Sequence, residues 1–345
     1  MLQTDTQSPP ASQSGAEADL HLAAFRFMLQ ARLLDDKFGA LYRAGKIHGG
    51  VFLGRGQEAL SAAIGVLLNK NDVFAPLIRD AAGRLAFGER VIDAVRTYLG
   101  SSLGPMRGRD GNVHRGNPQA GYLPMISHLG AMVSVVNGVL FARRMKGISG
   151  IVGVACLGEG ATSTGAFHES LNQASVEKLP LVLVVADNQY AYSTPTVRQF
   201  ACADLADRAA GYGVGAHSVT GNDLSACLEV VGSAIARARA GEGPQLVVAS
   251  LLRLCGHGEH DDAGYIVPEL KNSPLGRDCL KLAEDFLLRK KMTDDAQIAV
   301  WRSEIIREIE DAVAQAQREP TPDPFAEEWT ALSTKHLIEG NRDEN

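Results

Sequence analysis

Three uninterrupted apolar runs in the middle of the chain constrain its fold more than any other feature. They read IVGVACL (151–157), LPLVLVVA (179–186) and QLVVASLL (245–252), and segments with helical apolar spacing, 161–178 and 225–240, lie between them. A strand with one face in water alternates apolar and polar residues, but a strand covered on both faces needs no polar side. The sequence therefore predicts an α/β fold with a doubly wound, mostly parallel sheet that has helices on both faces.

Helical segments flank this predicted sheet. Apolar residues recur at helical spacing over 21–44, where a glycine follows, and a second helix is expected over 56–68. The charged region from about 272 to 318 is also expected to be helical. The Ser/Gln/Pro-rich start has too few apolar residues to join a core and is expected to be disordered. We therefore expect a disordered tail, one domain with helical extensions at both ends, and a C-terminal tail, over 1–20, 21–325 and 326–345.

Composition and charge exclude several classes of protein. The 345 residues are 45% hydrophobic, which suffices for a packed core. Because the 34 basic and 40 acidic residues are well mixed, the sequence predicts no nucleic-acid surface. No apolar stretch reaches the roughly 20 residues of a membrane helix, and the start lacks the apolar centre of a secretion signal. The five cysteines have no CxxC spacing, so we expect a cytoplasmic protein with reduced thiols.

Polar residues end two of the predicted strands. Gly158, Glu159 and Gly160 follow the first apolar run, and an Asp-Asn pair that includes Asn188 follows the second. Ligands of parallel sheets bind at the carboxyl ends of the strands, where neighbouring strands would bring Glu159 and Asn188 together. Both side chains offer oxygen ligands for Mg²⁺, and amides of Gly160 and Ala161 at a helix start favour phosphate. The residues thus predict a metal-diphosphate site, and an ordinary strand-to-helix turn with a loop cap is the alternative.

The spacing of these motifs resembles the thiamine diphosphate-binding motif, which has an acidic GxG, about thirty residues of helix and strand, and then an asparagine. Five further segments occur in the order of one family: IHGGVFLGRGQEA (47–59), PLIRDAAG (76–83), GRDGNVH (108–114), NQYAYSTPT (188–196) and RLCGHGEHDD (253–262). Over roughly residues 22–325 the chain resembles the alpha subunit of the decarboxylating first component of 2-oxo acid dehydrogenase complexes. GEG and YAYSTPT are most similar to the branched-chain members.

The resemblance implies a magnesium site at the two strand ends. Glu159, Asn188 and the backbone carbonyl of Tyr190 would bind the ion, since Mg²⁺ prefers hard oxygen ligands. The residues implied to lie beside thiamine diphosphate at this point are Gly158, Gly160 and Ala161.

Three residues elsewhere are implied as cofactor contacts. Arg79 matches the arginine that binds the diphosphate, because a planar guanidinium suits phosphate oxygens. A solvated surface arginine paired with Asp80 is the alternative. The backbone at Ser127 and Leu129 matches positions beside the aminopyrimidine and thiazolium parts of the cofactor, although each is an ordinary loop residue when taken alone.

A histidine-containing loop follows the third apolar run. The resemblance makes His257 the catalytic histidine, which stabilises charge or moves protons near the reactive carbon of the cofactor. A zinc site built from His257, Glu259, His260 and Asp261 is the alternative, because these side chains can bind zinc. His114 is expected to pack under the cofactor loop.

The resemblance also implies that the chain is half of an enzyme. The cofactor supplies the carbanion chemistry for decarboxylating a 2-oxo acid, branched-chain or pyruvate, and the acyl group passes to a lipoyl-bearing acyltransferase. In this family a beta subunit completes the active site, and the 345 residues show no second sheet, so an alpha2-beta2 heterotetramer is expected. The alternatives are the alpha subunit of an acetoin-cleaving dehydrogenase and an inactive scaffold or nucleotide-binding subunit.

Overall fold

The computed structural model describes residues 11–323 and 325, and a sheet of parallel strands lies at the centre of this part. The strands of the sheet are β1 (Val73–Ala75), β2 (Gly153–Gly158), β3 (Leu181–Asp187), β6 (Gly215–Thr220) and β7 (Gln245–Ser250), and a separate antiparallel pair is formed by β4 (Tyr190–Ala191) and β5 (Thr194–Pro195). The order across the sheet is β1-β2-β3-β7-β6, and every neighbouring pair is parallel. The predicted mostly parallel sheet is therefore confirmed.

Helices cover both faces of the sheet. They are α1 (Ala11–Arg43), α2 (Glu58–Leu67), α3 (Ala81–Phe87), α4 (Val91–Tyr98), α5 (Ala131–Met145), α6 (Gly165–Val176), α7 (Leu224–Arg239), α8 (Pro268–Lys271), α9 (Cys279–Arg289) and α10 (Asp295–Ala316). Within the described range, no helix is both long enough and apolar enough to cross a membrane.

Alternate residues of the central strands enter two different cores. Val154 and Cys156 of β2 pack in the core that includes α1, α2 and α7, whereas Ala155 and Leu157 pack in the core that includes α5 and α6. Side chains of a strand point to opposite faces in turn, so both faces must be apolar when both are covered. This is why the sequence shows apolar runs without polar alternation.

The start of the first helix differs from the prediction. Residues 11–20 belong to α1, so the expected disorder of the 1–20 tail is wrong for this part. The buried ring of His21 explains the difference, because it lies 3.0 Å from the Ser225 hydroxyl and stacks on Phe286 at 5.4 Å between ring centroids. These contacts hold this turn of α1 against α7 and α9. The rest of that tail, 1–10, and the predicted C-terminal tail, 326–345, lie outside the described residues.

The helix predicted over 161–178 also begins elsewhere. A short 3-10 helix spans Glu159–Ser163, and α6 starts only at Gly165. Thr164 caps α6, because its hydroxyl accepts a hydrogen bond from the Phe167 amide at 3.4 Å. The amides of Gly160 and Ala161 therefore lie in the 3-10 turn and not in the first turn of α6.

Candidate active site

The paired strands β2 and β3 bring the predicted metal ligands together. Gly158 pairs with Ala186 in the parallel register, so the residues after both strands lie side by side. Glu159 is buried, and its Oε2 accepts a hydrogen bond from the Asn188 amide at 3.3 Å. Its Oε1 accepts from Gln199 Nε2 at 3.1 Å. Gln199 is a residue that sequence reasoning missed, since it lies forty residues away in the chain.

Burial and a neighbouring carboxyl group dominate the electrostatic environment of Glu159. Burial raises the pKa of Glu159, and both hydrogen-bond donors to its carboxylate are neutral amides. Burial and then the charge of Glu159 raise the pKa of Asp187 to about 6. Two carboxyl groups that are removed from water and repel each other are stabilised by a positive ion between or beside them.

The Tyr190 carbonyl has a protein donor that the sequence analysis did not identify. Arg253 is almost fully buried, and its Nη1 donates to this carbonyl at 3.1 Å. Its guanidinium also donates to the carbonyls of Tyr192 at 2.7 Å and Cys255 at 3.1 Å. Arg253 thus fixes the backbone after Asn188. The signal in the sequence was an arginine directly after the apolar run that forms β7.

Arg79 is buried and does not form the surface pair with Asp80. Its guanidinium donates to the Leu53 carbonyl at 2.8 Å and to the His257 carbonyl at 2.6 Å, and both acceptors are uncharged. Asp80 instead accepts from the Gln57 side chain at 2.9 Å and from a backbone amide. Burial lowers the pKa of Arg79 to about 10. A buried cation whose bonded acceptors are neutral favours an anionic ligand.

His257 is half-buried beside Arg79. Its Nδ1 lies 3.4 Å from Arg79 Nη2, and its ring lies 5.4 Å from the ring of Phe52 and 4.4 Å from that of Tyr192. Burial, followed by the positive charges of Arg79 and Arg253, lowers the pKa of His257 to about 4. The imidazole is therefore neutral at pH 7 and is able to accept a proton.

The loop geometry contradicts the zinc alternative. Asp261 accepts hydrogen bonds from the His257 amide at 2.6 Å and the Tyr265 hydroxyl at 2.5 Å, and Glu259 pairs with Arg43. Across residues 11–323, no group of three or more histidine, cysteine, aspartate or glutamate side chains is arranged to hold a metal. The carboxylates of Asp261 and Glu259 are therefore engaged by protein donors that keep the loop in place, and they do not form a metal site.

A cavity of about 250 Å³ joins several of the predicted residues. Much of its remaining wall is apolar, and Phe52, Ile78 and Met132 contribute to it. A larger hollow of about 690 Å³ near α1, α4 and α10 contains no predicted site residue. The predicted residues that line the smaller cavity are Ser127, Leu129, Gly158, Ala161 and His257.

The structure thus places the predicted residues in two adjoining groups. Glu159, Asn188 and the Tyr190 backbone form the group at the strand ends, and the cavity group lies next to it through the Gly158-Glu159 peptide. Arg79 contacts the cavity group through His257. Gly160 packs against β4, because a Cβ added to it would lie 2.6 Å from the Ala191 Cβ.

His114 makes contacts that differ from the expected packing role. Its Nδ1 lies 2.7 Å from Asp110 Oδ2, and its Nε2 lies 3.1 Å from the Ser127 hydroxyl oxygen. It therefore connects the GRDGNVH segment to the cavity wall. The sequence contained no signal for this contact, because two loops must fold against each other to create it.

Comparisons with known proteins agree with this geometry. A family model described as the dehydrogenase E1 component matches residues 26–325. The alpha subunit of acetoin:2,6-dichlorophenolindophenol oxidoreductase from Cupriavidus necator is 32% identical, over 91% of this chain and 96% of the relative. The 2-oxoisovalerate dehydrogenase subunit alpha of Bacillus subtilis is 32% identical, over 87% and 91%. The pyruvate dehydrogenase E1 component subunit alpha of Rhizobium meliloti is 30% identical, over 88% and 87%.

Proposed function

The chain belongs to the dehydrogenase E1 component family, and from this membership we propose that it is the alpha subunit of a thiamine diphosphate-dependent 2-oxo acid dehydrogenase. The enzyme decarboxylates a branched-chain 2-oxo acid or pyruvate oxidatively and passes the acyl group to a lipoyl group. The observation that carries the proposal is the buried pair of Glu159 and Asn188 at the ends of β2 and β3.

The group at the strand ends fits Mg²⁺. Glu159 and Asn188 would each supply a side-chain oxygen, and Tyr190 would supply its backbone carbonyl. The bond from Arg253 uses one lone pair of that carbonyl, so the second stays free for a metal. The buried carboxyl group of Glu159 and the partly exposed one of Asp187 repel each other, which supports a cation at this place.

The cavity group fits the cofactor. Arg79 would face the diphosphate, since its present acceptors are neutral carbonyls. Thiamine diphosphate, when bound, supplies the carbanion chemistry that a 2-oxo acid needs in order to lose carbon dioxide. The residues that would line its binding place are Ser127, Leu129, Gly158 and Ala161, while Gly160 packs against β4 behind them.

The side chains of the cavity have distinct tasks in this reaction. Burial and the nearby arginines keep His257 neutral at pH 7, and its assigned role is to stabilise charge or move a proton at a ring nitrogen during acyl transfer. Phe52 and Ile78 give the cavity apolar walls, which would strengthen electrostatic interactions inside it once a ligand displaces water.

A beta subunit and a lipoyl-bearing acyltransferase are the proposed partners. The relatives named above are themselves called alpha subunits. Leu129 lines the cavity and is 62% exposed, so this part of the wall is open to a second protein surface. We place the chain in an alpha2-beta2 heterotetramer that operates in the cytoplasm.

An acetoin-cleaving dehydrogenase is the second candidate. The relative from Cupriavidus necator is as similar to the chain as the 2-oxoisovalerate dehydrogenase subunit, and the alignment covers 91% of the chain. The presence of Glu159, Asn188 and His257 argues against a scaffold subunit without activity.

Reconstitution with a beta subunit of the same family tests the function. The alpha chain alone should have no decarboxylase activity, because one parallel sheet provides only part of the site. Adding the beta subunit, Mg²⁺ and thiamine diphosphate should start lipoyl acylation with 3-methyl-2-oxobutanoate or pyruvate. Activity with acetoin but with neither 2-oxo acid would support the second candidate. Full turnover by the isolated chain would contradict the proposal that a beta subunit completes the active site.

A further inference from the structure

A serine, a histidine and an aspartate form a hydrogen-bonded chain at the cavity wall. The Ser127 hydroxyl oxygen lies 3.1 Å from His114 Nε2, and His114 Nδ1 lies 2.7 Å from Asp110 Oδ2. The proposed dehydrogenase uses the backbone of Ser127 and assigns no chemistry to these three side chains. A nucleophile within reach of a base, with the base oriented by a third group, is the arrangement of an activated nucleophile.

The aspartate determines the direction of the hydrogen bonds. The Asp110 carboxylate accepts but does not donate, so Nδ1 of His114 carries a proton and donates it toward Oδ2. In the tautomer with its proton on Nδ1, Nε2 carries a lone pair that accepts from the Ser127 hydroxyl. The other Asp110 oxygen accepts from the Asn112 amide at 2.8 Å, which fixes the carboxylate in place.

The serine is accessible, and donors for a developing negative charge follow it in the chain. Ser127 is exposed and lines the cavity of about 250 Å³. In the described part of the chain, the amides of His128 and Leu129 donate to no backbone carbonyl. The amide of the residue after a nucleophilic serine is a common donor to the oxyanion in serine hydrolases.

We propose that Ser127 is a nucleophile activated by His114 and Asp110, and that it hydrolyses small activated esters in this cavity. Ser127 Oγ forms a bond to the ester carbonyl carbon, and its proton passes to His114 Nε2. The ester C–O bond breaks as that proton is delivered to the departing alcohol. Water then attacks the acyl-serine with the same proton transfers, releases the acid and restores the hydroxyl. No oxidant or reductant is required.

Labelling with a fluorophosphonate tests the proposal on the full chain without added cofactor. Attack by Ser127 replaces the P–F bond with a P–O bond and releases fluoride, and peptide mass spectrometry identifies the labelled residue. We expect the label on Ser127, together with release of p-nitrophenol from p-nitrophenyl acetate. His114→Gln should lower both rates by about 10²–10⁴-fold, the usual contribution of a general base. Asp110→Asn should lower them as well.

Two matched variants serve as controls. Ser163→Ala removes another exposed serine, whose hydroxyl donates to a backbone carbonyl at 3.0 Å, and should leave both rates unchanged. His260→Gln removes an exposed histidine outside the hydrogen-bonded chain and should also have no effect. Absence of the label from Ser127 in folded protein, or equal labelling in His114→Gln, would overturn the proposal. The test needs neither thiamine diphosphate nor a beta subunit, so its outcome is independent of the dehydrogenase function.

Discussion

Glu159 and Asn188 lie at the ends of paired strands, whereas His257 and Ser127 lie in long loops. In the first region the ladder between β2 and β3 fixes the backbone, and the side chains need only extend from it. In the second region, side chains such as Asp261 and His114 hold the loops through hydrogen bonds. The comparison indicates that backbone pairing positions the strand-end region, whereas the loop region depends on individual polar contacts.

Removing a ligand from the strand-end region should have the largest effect. We expect Glu159→Ala or Asn188→Ala to abolish Mg²⁺-dependent binding of thiamine diphosphate or weaken it at least about 100-fold, because losing even a residue that only orients a metal ligand costs about 10–100-fold in metal affinity. Calorimetry on the assembled heterotetramer measures this directly. The ladder should survive both changes, so circular dichroism should match that of the wild type.

Glu169→Ala is the matched control for that experiment. Glu169 is exposed on α6, the helix that follows the 3-10 turn of Glu159, so its loss should not change cofactor affinity. Wild-type affinity in Glu159→Ala would mean that the strand ends do not form the metal site. The strand-end region would then have no assigned role in binding the cofactor.

Replacing the loop histidine should separate binding from chemistry. We expect His257→Ala to keep cofactor binding and assembly nearly intact while lipoyl acylation falls by about 10²–10⁴-fold, because a proton acceptor is lost. His260→Ala, three positions away and more exposed, should cost far less. Assays of lipoyl acylation and of bound metal for both variants check this prediction. Equal losses in the two variants would indicate that the loop acts only as a structural element.

The sequence predicted the strand-end region better than the loop region for a physical reason. Apolar runs and a parallel sheet place Glu159 and Asn188 at one edge without any knowledge of distant contacts. The edge strands β1 and β6 were missed, because β1 has three residues and β6 has exposed polar side chains such as Ser218 and Thr220. Short or half-polar strands do not differ from loops in their residue pattern.

Contacts between separate loops left no mark in the sequence. Arg253 donates hydrogen bonds to two backbone carbonyls of the Tyr190–Tyr192 segment, and Gln199 donates one to the Glu159 carboxylate. No fixed separation along the sequence predicts either contact. The burial of Arg79 could not be predicted from the sequence either. The sequence allowed a solvated arginine, and only the packing of Leu53 and His257 around it decides the matter.

The smallest expected effect tests the charge that Arg79 places on the loop region. His257 has a pKa of about 4 in the folded chain against a usual value of 6.5, through burial first and then Arg79. Between these two values the unfolded chain binds the proton more readily, so the contribution of His257 to stability is complete above about pH 6.5 and is lost as the pH falls toward 4.

Arg79→Gln keeps a hydrogen-bond donor but removes the charge, so the pKa of His257 should rise toward 6.5 in an NMR titration of the cofactor-free chain. Arg43→Gln is the control, because Arg43 pairs with Glu259 of the same loop and does not contribute to the shift. An unchanged pKa in Arg79→Gln would show that burial alone keeps His257 neutral, and the two regions would then differ in packing and not in charge.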